Sequence, residues 1–133
     1  MQRPSFKDLE EKLQYHFQNP QYLITAMTHS SYANEVKSGG HSNERLEFLG
    51  DSVLSIVVAD YLFKHCPNLP EGELTKNRAA LVCEKALCGF SRQLGLGEYL
   101  LLSRGEQNSG GRQRSSILAD AFEALIAAIY LDA

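Results

Sequence analysis

The sequence predicts an all-α protein folded as one domain over residues 1–133. Apolar residues recur at helical spacing along most of the chain, and no alternation typical of strands stands out. Residues that start or end helices separate these segments, and no internal repeat interrupts them. A length of 133 residues with 44% hydrophobic and 22% charged types suits one globular domain with one core.

The first two helices are predicted from their starting residues. Ser5 and Asp8 resemble a capping box, in which side chains satisfy the free amides of a helix start. Asn19-Pro20 combines a capping residue with a proline at the first helical position, and it begins a short helix that extends through Met27. The glycine-containing stretch 32–42 is predicted to be a loop.

Two longer helices are predicted next. Asn43 can cap a helix that runs to about Lys64, and this segment is so apolar on all sides that it is expected in the middle of a bundle. Two prolines end it. A further helix follows from about Gly72 to Gln93, with Gly95 as its stop.

The C-terminal part is predicted to be a loop followed by one helix. Residues 103–115 contain several glycines and arginines, which is typical of a loop. Ser115 or Ser116 then caps a last helix, which extends to Leu131.

The charge balance limits the function classes. The 16 acidic and 13 basic residues give a net charge of −3, which argues against strong nucleic-acid binding by this chain alone, because backbone binding requires lysine and arginine. It does not exclude a nuclease, since carboxylates that hold metal ions count as negative.

No apolar run could span a bilayer, the N-terminus lacks an apolar signal segment, and the three cysteines form no CxxC pair. A cytoplasmic protein without membrane contact is therefore expected.

Two of the predicted helices carry acids within otherwise apolar surfaces. Glu44, Glu47 and Asp51 are spaced at i, i+3 and i+7, which places them on one helix face. Asp120 and Glu123 are spaced at i and i+3, and none of the five has a lysine or arginine four residues later. Clustered carboxylates without such partners repel one another unless they take up protons or bind cations.

If the two helices face each other, four carboxylates converge and suit Mg²⁺, with Mn²⁺ as a substitute. The alternative for each acid alone is a solvated helix face or a contact with the helix dipole. That alternative fits Glu44, in the first turn, but fits Asp51 and Glu123 poorly, because apolar residues surround them. The pattern therefore favours a metal site formed by four acids: Glu47, Asp51, Asp120 and Glu123.

Several other chemistries lack their motifs. The sequence has no HExxH or Glu-x-x-His pair and no P-loop, G-x-G-x-x-G or G-x-S-x-G motif, so zinc peptidases, di-iron bundles, nucleotide cofactors and covalent catalysis are not supported. His29 is expected to satisfy backbone groups at a helix end. Arg104, Arg112 and Arg114 flank glycines and suit contacts to RNA phosphates, although a solvated surface loop explains them equally well.

The segment 43–54, NERLEFLGDSVL, resembles the signature of the ribonuclease III family of double-stranded-RNA endonucleases. Further family segments occur in the expected order: THSSY at 28–32, EGELT at 71–75, SGG at 109–111 and the stretch 116–131. The resemblance covers nearly the whole chain and implies the helical endonuclease fold of this family.

The resemblance also implies roles for individual residues. Four acids match the family's metal ligands: Glu47, Asp51, Asp120 and Glu123. Two of these, Asp51 and Glu123, match the catalytic acids. Three further acids match supporting positions: Glu44, Glu71 and Glu106. Phe48 matches an aromatic that packs into the second subunit of a homodimer.

For the whole protein, the resemblance implies metal-dependent hydrolysis of double-stranded RNA to 5′-phosphate and 3′-hydroxyl ends with a short 3′ overhang. Ribosomal, messenger and transfer RNA precursors are the expected substrates. Bacterial members usually continue into a double-stranded-RNA-binding domain, which residues 1–133 lack, so the chain is expected to be a nuclease domain cut from a longer protein.

Two other functions are less consistent with the sequence. An all-α nucleotide pyrophosphohydrolase also holds Mg²⁺ between helical acids, but its acid pairs lie closer in sequence than Asp51 and Asp120 do. A non-catalytic RNA-binding module would have no reason to keep four carboxylates that repel one another.

Overall fold

The computed structural model of the protein describes residues 5–36 and 41–133, and helices make up most of both ranges. The α-helices are α1 (Phe6–Leu13), α2 (Pro20–Ala26), α3 (Ser30–Val36), α4 (Glu44–His65), α5 (Glu71–Val82), α6 (Glu84–Leu94), α7 (Arg104–Asn108) and α8 (Ser115–Asp132). Short 3-10 turns, Leu96–Glu98 and Gly111–Gln113, follow α6 and α7. The described ranges contain no strand beyond one isolated bridge, Thr28 to Leu101, and the predicted all-α class is confirmed.

The C-terminal helix α8 forms the centre of the core. It packs against α4, α6 and α2. Ala121, Ala124 and Ala128 are fully buried on α8, and their small side chains allow the neighbouring helices to approach closely. Buried leucines from α1, α2 and the 96–102 segment belong to the same core. None of the helices in the described ranges is long and apolar enough to cross a membrane.

Helix α4 lies at the side of the fold, so the expectation that it runs through the middle of a bundle is wrong for this single chain. Gly50, Val53 and Leu62 are its buried residues. On the opposite side, Phe48 is 80% exposed and Phe63 is 73% exposed. A helix that is apolar on all sides can be covered on every face by its own chain, or on one face only with the other left exposed. Sequence periodicity does not distinguish these two arrangements.

The predicted loop 32–42 overlaps a helix, because α3 extends to Val36. The start of α3 is stabilised by His29, whose Nδ1 accepts a hydrogen bond of 3.1 Å from the Ser31 backbone N–H. This bond confirms that His29 satisfies a backbone group at a helix end, although histidine is not among the usual capping residues. The remaining loop residues 37–40 lie outside the described part of the chain.

The single helix expected from Gly72 to Gln93 is instead two helices, α5 and α6. They meet at Cys83, whose backbone is extended (φ −73°, ψ 161°). The Cys83 carbonyl then accepts the Leu87 N–H and begins α6, and Gly95 ends that helix in the left-handed conformation as predicted. Neither glycine nor proline marks the break, so the sequence carries no strong signal for it.

The predicted loop 103–115 also contains a short helix. Ser103 caps α7, since its Oγ accepts the Glu106 N–H at 3.1 Å. Gly110 follows with φ +88°, a conformation that favours glycine, and the chain then enters a 3-10 turn. Helix α8 starts at Ser115 itself, directly after Arg114, so the prediction that Ser115 or Ser116 caps it is wrong.

The remaining caps agree with the predictions in part. The Asn19 side chain accepts the Gln21 N–H at 3.1 Å, which confirms the cap of α2. Ser5 and Asn43 stand at the starts of α1 and α4, but neither side chain makes a capping hydrogen bond.

Candidate metal centre

A close contact between α4 and α8 positions the site. A Cβ atom built on Gly50 would lie 1.8 Å from the backbone oxygen of Glu123, so only glycine fits there. Gly50 stands between Glu47 and Asp51 on the α4 face that meets α8. The contact therefore places both of these acids opposite Asp120 and Glu123.

The four acids converge in space. One carboxylate oxygen from each of Glu47, Asp120 and Glu123 lies within 4.8 Å of the others. Asp51 joins this group through a hydrogen bond with the Glu123 carboxyl, and Glu47 makes another with Asp120. We call these four residues the acid cluster. Three of them, with Glu44 and Phe48, line an open cavity of about 320 Å³, which gives the cluster access to solvent.

Burial and mutual repulsion raise the pKa values within the acid cluster. Glu123, which is 9% exposed, has a pKa raised to about 8, mainly by burial and then by the hydrogen bond and charge of Asp51. Burial and the charge of Asp120 raise the pKa of Glu47. Burial also raises the pKa of Asp120, although its hydrogen bond with Glu47 opposes this. Without a cation, Glu123 therefore retains its proton at neutral pH.

The donor set fits a hard divalent cation. Several carboxylate oxygens on one wall of an open cavity are the ligands that Mg²⁺ and Mn²⁺ prefer, and the open side leaves room for water or a phosphate. A cation there would replace the protons that burial and repulsion now favour.

The three supporting acids lie in different surroundings. Glu44 is exposed at the cavity beside the acid cluster, and its charge helps to raise the pKa of Glu47. Glu71 begins α5 and lines a separate cavity of about 230 Å³ near the C-terminal end of α4. Glu106 pairs with Arg114 in the 104–114 segment. Within the described residues, Glu44 therefore borders the cluster, whereas Glu71 and Glu106 do not join it.

The side chains of two of the three predicted RNA-binding arginines bond to other groups of the protein, whereas Arg104 bonds to Glu35 through its backbone N–H. The Arg112 guanidinium donates to the carbonyls of Gly97, at 2.8 Å, and Leu100, at 2.6 Å, and so holds the 3-10 turn against the core. Arg114 pairs with Glu106, and both side chains remain partly exposed. Arg104 is exposed. Contact of these arginines with RNA stays a prediction.

An exposed apolar surface adjoins the site. Phe48 projects from α4 next to Glu47, and it lines a second cavity of about 760 Å³ together with Tyr22 and Leu131. Ile56 and Phe63, further along α4, are also exposed. Contiguous apolar surface of this kind marks an interaction site more often than a solvated face.

Sequence reasoning missed two residues that shape the site. Gly50 sets the approach of α4 to α8, because its missing side chain leaves room for the backbone of Glu123. Asn43 was interpreted as a helix cap, but its side chain donates a hydrogen bond of 3.0 Å to the carbonyl of Ala26. No local pattern distinguishes these two uses of asparagine.

Comparison with known proteins finds relatives that match nearly the whole chain. A family model described as Ribonuclease-III-like matches residues 19–133. The chain is 54% identical over 131 residues to ribonuclease 3 of Geobacillus sp. (strain WCH70), covering 98% of this chain and 53% of that protein. It is 56% identical over 126 residues to ribonuclease 3 of Clostridium tetani, with coverage of 95% and 53%. The chain thus spans about half the length of these relatives.

Solved structures of nucleases related to these sequences also match the chain. The nuclease domain of ribonuclease III from Campylobacter jejuni, described as flexible in a region involved in dimer formation, superposes with a TM-score of 0.90 at 46% identity. The match covers 97% of this chain and 87% of that domain. Dicer from Pichia stipitis matches with a TM-score of 0.64 at 30% identity, over 87% of this chain and 47% of that one.

Proposed function

Because the chain belongs to the ribonuclease III family, we propose that it is a metal-dependent endoribonuclease that hydrolyses phosphodiester bonds of double-stranded RNA. The convergence of Glu47, Asp51, Asp120 and Glu123 beside an open cavity carries this proposal. The products are 5′-phosphate and 3′-hydroxyl ends with a short 3′ overhang. The proposed setting is processing of ribosomal, messenger and transfer RNA precursors in the cytoplasm.

The acid cluster is the proposed binding site for Mg²⁺, with Mn²⁺ as a substitute. A bound divalent cation supplies activation of water and stabilisation of charge on the scissile phosphate. Glu123 and Asp120 hold their oxygens in place because α8 is buried, and Glu47 adds a ligand from α4. Asp51 is exposed at the cavity and hydrogen-bonded to Glu123, so it is placed to face the substrate side. We assign the catalytic role to Asp51 and Glu123.

The supporting roles belong to the same proposal. Glu44 borders the cavity and would add negative charge beside the cation. Glu106, which pairs with Arg114, would support the metal site indirectly, and Glu71 would contribute to the RNA-processing site. The three arginines would lie along the path of a bound duplex, whose shape can be recognised through its phosphates and 2′-hydroxyls. Recognition through the wide minor groove of an A-form duplex requires no side chain that contacts a specific base sequence.

We also propose that the chain works as a homodimer through the exposed face of α4. Phe48 is 80% exposed, which is costly for an aromatic side chain in water. A two-fold arrangement would allow Phe48 of each copy to enter the apolar cavity beside Phe48 of the other. The Campylobacter jejuni domain has a region involved in dimer formation, which supports this arrangement.

Cleavage of a long double-stranded RNA tests the proposal. The chain should cleave it with Mg²⁺ and not with a chelator, and single-stranded RNA and nucleoside triphosphates should remain intact. Asp51→Asn and Glu123→Gln should abolish cleavage because each removes a charged oxygen from the cluster. Glu11→Gln, an exposed change on α1, is the matched control and should cleave normally. Cleavage in the presence of chelator, or by both cluster variants, would refute the proposal.

A further inference from the structure

Asn43 precedes α4 and is 5% exposed, an unusual position for an asparagine at a helix start. Its side chain makes no capping bond. Instead, Nδ2 donates to the Ala26 carbonyl at 3.0 Å, and the Asn43 backbone N–H donates to the Thr28 carbonyl at 2.8 Å. Two bonds from one residue therefore attach the start of α4 to the end of α2.

The segment that accepts these bonds is itself held firmly. The Met27 carbonyl accepts the Leu101 N–H at 2.8 Å, and the Leu101 carbonyl accepts the His29 N–H at 3.1 Å. Ala26 and Met27 are fully buried. Asn43 is thus bonded to a fixed part of the core, and it also satisfies a carbonyl that the end of α2 would otherwise leave without an intrahelical partner.

The same residue leads directly into the acid cluster. The Asn43 carbonyl accepts the Glu47 N–H at 2.8 Å, so Glu47 stands one helical turn beyond the anchored residue. We propose that Asn43 is a positioning residue, which holds the first turn of α4 so that the Glu47 carboxylate stays within ligand distance of Asp120 and Glu123. This role rests on the proposed metal-dependent function of the cluster.

A residue that contributed only to stability would behave differently. Its loss would lower the melting temperature but leave the ligand geometry unchanged in the molecules that remain folded. Tyr15→Phe provides that comparison, because it removes another long-range bond, from the Tyr15 hydroxyl to Asp132 at 2.5 Å. Asp132 is twelve residues after Asp120 on α8, which is about 18 Å along the helix.

Calorimetric titration with Mn²⁺ tests the proposal. Asn43→Ala should weaken Mn²⁺ binding by roughly 10- to 100-fold, as is usual for residues that orient metal ligands. The kcat for RNA cleavage should fall by a similar factor with a smaller change in KM, whereas Tyr15→Phe should match the unmodified chain in both. If Asn43→Ala does not fold, Asn43→Gln keeps the amide but displaces its nitrogen, and it should show the same weakening. Folded Asn43 variants with unchanged Mn²⁺ affinity and kcat would overturn the proposal.

Amide hydrogen exchange in the metal-free protein provides a test that does not depend on the function. The Glu47 amide, which is hydrogen-bonded to the Asn43 carbonyl, should exchange faster in the Asn43 variants than in Tyr15→Phe, because the first turn of α4 loses its attachment. Unchanged exchange there would overturn the positioning role even if the chain binds no Mn²⁺ and cleaves no RNA. Absent cleavage with faster exchange would instead refute the proposed function alone.

Discussion

Replacement of Gly50 by alanine should separate α4 from α8 and disrupt the acid cluster. The new Cβ would lie 1.8 Å from the Glu123 backbone oxygen and 2.5 Å from its carbonyl carbon. Both are backbone atoms of a buried helix, so a side-chain rotation cannot relieve the clash. The helices would have to move apart by about 1 Å or more to reach ordinary packing distances.

The cost follows from this geometry. Overpacking of a close-packed interior costs about 3 kcal/mol when backbone must move. For a domain of this size that corresponds to a fall in melting temperature on the order of 10 °C. Because metal ligands tolerate shifts of only about 0.2 Å, Mn²⁺ binding should also weaken by at least roughly tenfold.

A second glycine provides the matched control. Gly89 lies within α6, and a Cβ there would meet nothing within 4 Å. Gly89→Ala should therefore raise stability by up to about 1 kcal/mol, the difference in helix propensity between the two residues. Thermal unfolding followed by circular dichroism measures both variants. A Gly50→Ala melting temperature equal to that of the unmodified chain would refute the close approach of α4 and α8.

Three further predictions concern pH, assembly and salt. The Glu123 carboxyl keeps its proton up to about pH 8 in the folded protein but only to about pH 4.5 in the unfolded chain. Between pH 4.5 and pH 8, unfolding therefore releases a proton, and the free energy of unfolding of the metal-free protein should fall as the pH rises. Glu123→Gln should remove most of this dependence while keeping the fold, and identical melting profiles from pH 5 to pH 8 would contradict the assignment. Sedimentation of the unmodified chain should give twice the monomer mass. Phe48→Ala should be a monomer, whereas Val36→Ala, the control at another exposed apolar residue, should remain a dimer. A clean monomer of the unmodified chain at tens of micromolar would exclude the dimer. A net charge of −3 leaves few cations for phosphate contacts, so RNA affinity should be low, and cleavage should be slower at about 200 mM than at about 50 mM salt because counterion release contributes less as salt rises. Equal rates at both salt concentrations would show that the domain binds RNA by other means.

Which acids share a helix face could be predicted from local sequence. Glu47 and Asp51 share a face of α4, and Asp120 and Glu123 share a face of α8, because helical periodicity alone determines which residues of one helix lie together. The absence of nearby basic partners in the sequence indicated that these carboxylates would be coupled. The raised pKa of Glu123 agrees with that expectation.

Other elements could not be predicted, because their signals are weak or non-local. The break at Cys83 contains neither glycine nor proline, and the start of α3 depends on a histidine side chain. Arg112 resembled a surface cation, but it donates to carbonyls of the 97–100 segment. Hydrogen bonds between residues distant in sequence leave no periodic pattern to detect.

The sequence by itself determined the helical class, the faces that carry the acids and the apolar character of α4. Only the tertiary structure decided that α4 meets α8 at Gly50, that Asn43 attaches α4 to the end of α2, and that Phe48 remains uncovered. Periodicity is a property of one helix and is set by its local backbone geometry. The distance and orientation between two helices depend on steric fit of surfaces far apart in sequence, and a difference of one Cβ atom at Gly50 is enough to change them.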